Sequence, residues 1–197
     1  MEAFFIPTLI VALAEIGDKT QLLALVLAAR YRKPWPIILG ILVATLANHF
    51  AAGALGSWVA GLFSPQTLTW LLAGSFAAVA LWTLIPDKLD DDEGNTAKNF
   101  GPFVATLIAF FMAEMGDKTQ VATVMLAAQY DAFVLVILGT TVGMLLANVP
   151  VVLIGNFAAE RLPLDLIRRL AAAAFGLLAL YAAYEAWTMG AVATAAA

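Results

Sequence analysis

Between Ile37 and Phe63 the chain runs 27 residues without a single Asp, Glu, Lys or Arg, and comparable apolar stretches recur along its length. A bilayer-spanning helix needs roughly 20 such residues, so this feature restricts the fold more than any other. Only 12% of the 197 residues are charged and 63% are hydrophobic, against about a quarter and about half in ordinary soluble domains. A water-soluble globule is excluded. The reading is an all-α membrane protein with no room for a separate soluble domain. Ten basic against fourteen acidic residues argue against a nucleic-acid binder. The chain has no cysteine, which removes disulfides, zinc-thiolate sites, iron-sulfur clusters and thiol nucleophiles.

Six spans are expected: Ala3 to Ala29, Ile37 to Phe63, Leu68 to Ile85, Phe103 to Ala128, Ala132 to Ala158 and Leu164 to Met189. Proline-broken or polar turns separate them, and Asp87 to Asn99 is the one strongly polar segment. The N-terminus is not a convincing signal peptide, because it lacks a basic start and its apolar region contains Glu15, Asp18 and Lys19. With alternating loops, one side collects Arg30, Arg32, Lys33, Lys88, Lys98, Arg161, Arg168 and Arg169, and the other side none. The positive-inside bias then makes the basic side cytoplasmic and puts both termini outside. A bacterial inner membrane is the expected location.

Glu15-Ile16-Gly17-Asp18-Lys19-Thr20-Gln21 recurs 99 residues later as Glu114-Met115-Gly116-Asp117-Lys118-Thr119-Gln120, identical at six of seven positions. The same offset pairs Gly40 with Gly139, Gly56 with Gly155 and Phe76 with Phe175. The chain therefore divides into residues 1–86, a loop 87–99, and residues 100–197. Three spans per half is an odd number, so the second copy enters the membrane from the opposite side: two inverted three-helix repeats, the plan of secondary transporters, with a site near the midplane.

Each motif sits midway along a span. A carboxylate or lysine facing lipid there costs about 2.5 to 3.5 kcal/mol on insertion scales, so these groups are expected to face one another or water. On a continuous helix Glu15, Asp18 and Gln21 form one oxygen-bearing stripe, as do Glu114, Asp117 and Gln120, while Thr20 and Thr119 fall off it unless the helix is distorted at Gly17 or Gly116. Together the stripes offer four carboxylates and two amides, hard donors suited to manganese, calcium or magnesium. Four negative charges and the ammonium groups of Lys19 and Lys118 leave −2, which one divalent cation neutralises and protons can replace. The bland alternative for one motif is a self-neutralised Glu15–Lys19 pair; duplication at matching depth argues against it. Asn48, His49 and Asn148 are further polar groups at depth, as lining of an ion path or as interhelical hydrogen bonds. The acidic run Asp90 to Glu93 reads as a solvated loop or a weak cation attractor.

At these motifs the chain resembles the Gdt-type cation/proton exchangers, whose hallmark is a duplicated Glu-x-Gly-Asp-(Lys/Arg)-(Thr/Ser), here Glu15 to Thr20 and Glu114 to Thr119. The resemblance covers essentially the full length. It implies a transporter of manganese or calcium in exchange for protons, with Glu15, Asp18, Glu114 and Asp117 as cation-binding carboxylates. For bacterial relatives it implies manganese export. No enzyme activity and no cofactor are expected, since the cation is the substrate. Two other functions stay open at this point. A cation channel would need a polar face reaching both surfaces, whereas the polarity here is confined to midspan. An intramembrane aspartyl protease would need Asp18 and Asp117 to share a proton, which the extra Glu and Lys of each motif would upset. Oligomeric state is not legible.

Overall fold

The computed structural model describes residues 1–85, 100–154 and 164–195. The acidic loop, Gly155 and Arg161 lie outside the described residues. Eight helices fill the described chain: α1 Glu2–Glu15, α2 Lys19–Tyr31, α3 Pro34–Ala60, α4 Pro65–Thr83, α5 Pro102–Glu114, α6 Lys118–Gln129, α7 Phe133–Ile154 and α8 Leu164–Ala195. Proline opens α3, α4 and α5, where a missing N–H is no loss. At α4 the Ser64 hydroxyl also accepts the Thr67 N–H. Arg32, left-handed at φ 52°, ends α2.

Among the described residues, three helices are by themselves long and apolar enough to cross a bilayer: Pro34–Ala60, Phe133–Ile154 and Arg169–Ala191 within α8. The stretches expected as continuous first and fourth spans are instead two helices each, α1 with α2 and α5 with α6, interrupted at the motifs. The 14 residues of α1 make a rod of about 21 Å, short of the roughly 30 Å hydrocarbon thickness.

Helices of one half pack on helices of the other. α1 lies against α7, α3 against α5 and α6, and α4 against α8. One buried cluster includes Ile10, Leu72, Phe76, Leu126, Val136 and Phe175; a second includes Val11, Leu23, Ile41, Phe110, Ala113 and Met144. The outer faces expose Leu39, Phe50, Leu138, Leu146, Leu177 and Leu180. In water such a surface is a liability, and in lipid it is the favoured exterior.

The 99-residue offset reappears as reciprocal close approaches. A Cβ added to Gly40 would stand 2.9 Å from the Phe103 carbonyl oxygen, and one added to Gly139 would collide with the carbonyl of Phe4. Small residues here let the backbones of α3 and α5, and of α7 and α1, come within contact distance. Those contacts hold both interrupted helix pairs against long, uninterrupted ones.

Candidate cation site

Each motif is a helix break of the same design. Ile16 and Met115 leave the helical region at ψ 116° and 119°. Gly17 and Gly116 follow at φ 83° and 77°, a conformation costly for any residue with a Cβ. Asp18 and Asp117 are extended at ψ 168° and 166°, and each serves as the N-cap of the next helix. The freed N–H of Gly17 donates to Gln21 Oε1 at 2.8 Å, and that of Gly116 to Gln120 Oε1 at 2.8 Å. Each break thus has its own brace four residues downstream.

The continuous stripe expected from sequence is corrected here. Glu15 ends α1 and Asp18 begins α2, so they do not share a helical face. The distortion brings in the threonines instead. Thr20 Oγ1 donates to Glu15 Oε2 at 2.5 Å and Thr119 Oγ1 to Glu114 Oε2 at 2.8 Å. The amides of Gln21 and Gln120 hold the breaks together, and Gln21 Nε2 also donates to the Ala147 carbonyl on α7 at 2.8 Å.

Glu15, Glu114 and Asp117 converge: one carboxylate oxygen from each lies within 4.8 Å of the other two. Their exposures are 0%, 1% and 3%, so the three are shielded from solvent. The Oε1 atoms of both glutamates are buried without a hydrogen-bond donor. A buried anionic oxygen lacking a donor is expensive, and a cation between them removes that cost. Asp18 stands outside this group of three; its Oδ1 accepts from Lys118 Nζ at 2.5 Å. Lys19 is half-buried beside Asp18 in sequence.

Helix ends add to the field at the site. The C-termini of α1 and α5 carry partial negative charge toward the glutamates, which favours a cation there. The N-termini of α2 and α6 meet the aspartates, which favours the anionic form.

The remaining polar groups named from sequence occupy α3 and α7. Asn48 Nδ2 donates to the Phe111 carbonyl at 3.0 Å, one turn before Glu114. Asn148 Nδ2 is bonded to the Met144 carbonyl and sulfur, and its Oδ1 is buried without a partner. His49 is buried with neither ring nitrogen hydrogen-bonded, and it is not one of the convergent group. Sequence reasoning missed the carbonyls of Phe111 and Ala147 and the pairing of Asp18 with Lys118, because partners 63 to 126 residues apart leave no local signal.

Comparison with known proteins matches the two halves of the chain separately. The description "Divalent cation/proton antiporter GDT1" matches residues 3–91 and again residues 102–190. A Vibrio cholerae protein named "Putative manganese exporter" is 62% identical over 175 residues, covering 88% of this chain and 86% of that one. The "GDT1-like protein sll0615" of Synechocystis sp. is 28% identical, covering 82% of this chain and 87% of its own. The "GDT1-like protein 3" of Arabidopsis thaliana is 26% identical, covering 82% of this chain and 63% of its own. No solved structure matches. Two family matches, spaced by the same 99 residues that relate the two breaks, cover most of the chain, and the protein belongs to the GDT1 family of divalent cation/proton antiporters.

Proposed function

We propose that the protein exports manganese from the bacterial cytoplasm in exchange for protons, with Glu15, Glu114 and Asp117 as the ligands of the transported ion. The observation that carries this reading is the buried convergence of three carboxylates drawn from both repeats. Their all-oxygen chemistry suits a hard divalent cation. Manganese is preferred over calcium because the relative at 62% identity is named for it.

In this reading the chain makes six passages, with α1–α2 and α5–α6 each forming one interrupted passage. The reciprocal contacts of Gly40 and Gly139 support two halves related by a two-fold axis in the membrane plane. The basic connection Arg30 to Lys33 then faces the cytoplasm and both termini face out. Thr20 and Thr119 hold one oxygen of each glutamate and leave the other for the ion. A cation enters from the cytoplasm, the halves rock, and protons arriving from outside take the same carboxylate oxygens as the cation leaves. Asn48, His49 and Asn148 border the route between the flanking helices.

Proteoliposomes loaded with a pH-sensitive dye test the exchange. Manganese movement should be matched by opposite proton movement, and both should vanish in Glu15→Gln and Glu114→Gln. Manganese flux without proton flux refutes the coupling. Flux that survives both substitutions refutes the site.

A further inference from the structure

The two motifs are nearly identical in sequence, yet the convergent carboxylates are three rather than four. Glu15, Glu114 and Asp117 come together, whereas Asp18 accepts from the Lys118 ammonium of the other repeat, with both side chains 2% exposed or less. Lys118 is the first residue of α6, so its charge sits at the positive end of a helix dipole as well as in the protein interior. Neither placement suits a lysine without an anion beside it.

Resting on the reading of Glu15, Glu114 and Asp117 as the ion's ligands, we propose that Lys118 is a tethered cation that competes with the transported ion for Asp18. While the salt bridge stands, the cage holds its cargo with three carboxylates. When Lys118 withdraws, Asp18 is available as a fourth. The lysine thereby keeps the site from binding its ion too tightly to release it, and the choice of three or four carboxylates sets affinity. Lys118 is an affinity-setting residue that acts through Asp18.

The test is Mn2+ binding to the purified full-length chain in detergent, by calorimetry, in six forms. Lys118→Met removes the competing ammonium from Asp18 and should tighten binding about tenfold, as added ligand charge does in oxygen-donor sites. Asp18→Asn leaves the ammonium in the cage and should weaken binding about tenfold. Adding Lys118→Met to Asp18→Asn should restore wild-type affinity to within about threefold. Lys118→Arg, which keeps the pair, should bind like wild type. A purely structural salt bridge gives the opposite pattern: Lys118→Met, still monodisperse and helical, binds more weakly or unchanged. If Lys118→Met does not fold, the decision falls to the charge-free double variant. Equal affinity of Asp18→Asn and the double variant overturns the proposal. Absence of Mn2+ binding by the wild type, or wild-type affinity in Glu114→Gln, instead refutes the underlying site and this inference with it.

Discussion

Thr119 donates its hydroxyl to Glu114 Oε2 at 2.8 Å, reaching back across the helix break that separates them. Thr20 makes the same bond to Glu15 in the other repeat. The hydroxyl fixes the carboxylate's orientation, a role in which loss of a supporting partner typically costs 10 to 100-fold in metal affinity. Thr119→Val should therefore weaken Mn2+ binding by about tenfold or more, and Thr119→Ser should retain it within about threefold. Titrations of the two variants side by side check this, and equal affinities would remove the hydroxyl from the account.

Gly116 stands at φ 77°, and among the described residues nothing beyond its own chain neighbours lies within 4 Å of where a Cβ would be. The penalty of a side chain there is thus backbone strain alone, about 1–2 kcal/mol for an L-residue. Gly116→Ala should lower the thermal unfolding temperature by several degrees. Gly116→Asn should lower it less, because asparagine tolerates left-handed backbone. An alanine variant as stable as wild type would show that the break does not require this conformation.

Two other glycine substitutions should differ in stability although both occur within helices. Gly139→Ala drives a methyl into the Phe4 carbonyl of α1, and overpacking of this kind costs about 1–3 kcal/mol. Gly74→Ala meets nothing within 4 Å among the described residues outside its own helix backbone and should cost nothing. Differential scanning fluorimetry in detergent separates them; a Gly139→Ala chain that unfolds with wild type would mean that α1 and α7 can move apart freely.

In the proposed exchange, protons and the cation use the same carboxylates, so acid should oppose binding. Mn2+ affinity should fall as pH falls, since each bound cation must displace protons. Glu15→Gln, a neutral mimic of the protonated form, should weaken binding on the order of 100-fold, at the upper end of losses seen for altered metal-site partners. It should also flatten the dependence of log Kd on pH, because one group fewer exchanges a proton. A pH slope identical in wild type and Glu15→Gln, where binding is still measurable, would show that Glu15 carries no exchanged proton.

Much of the fold is legible in the residues themselves, because the forces that write it are local or periodic. Long apolar runs demand helices in lipid, and Pro34, Pro65 and Pro102 mark where helices begin. The 99-residue repeat shows that whatever one half builds, the other builds again. Gly17 and Gly116 signal distortion, and with it the arrival of Thr20 and Thr119 beside the glutamates. The spacing of Glu15, Asp18 and Gln21 predicts a helical stripe, and the prediction fails because spacing presumes an unbroken helix. The φ of Gly17 resets the direction of the chain between the first two members.

The sequence by itself determined an all-helical membrane chain, its duplication, and the residue types gathered at each motif, since hydropathy and identity are properties of the chain in order. Only the tertiary structure decided that Glu15 joins Glu114 and Asp117 while Asp18 turns to Lys118. Two copies of one motif carry equal charges, so order along the chain cannot distinguish their partners. The packing of α1 on α7 and of α3 on α5 and α6 does, because it alone sets which carboxylates come within reach of one ion.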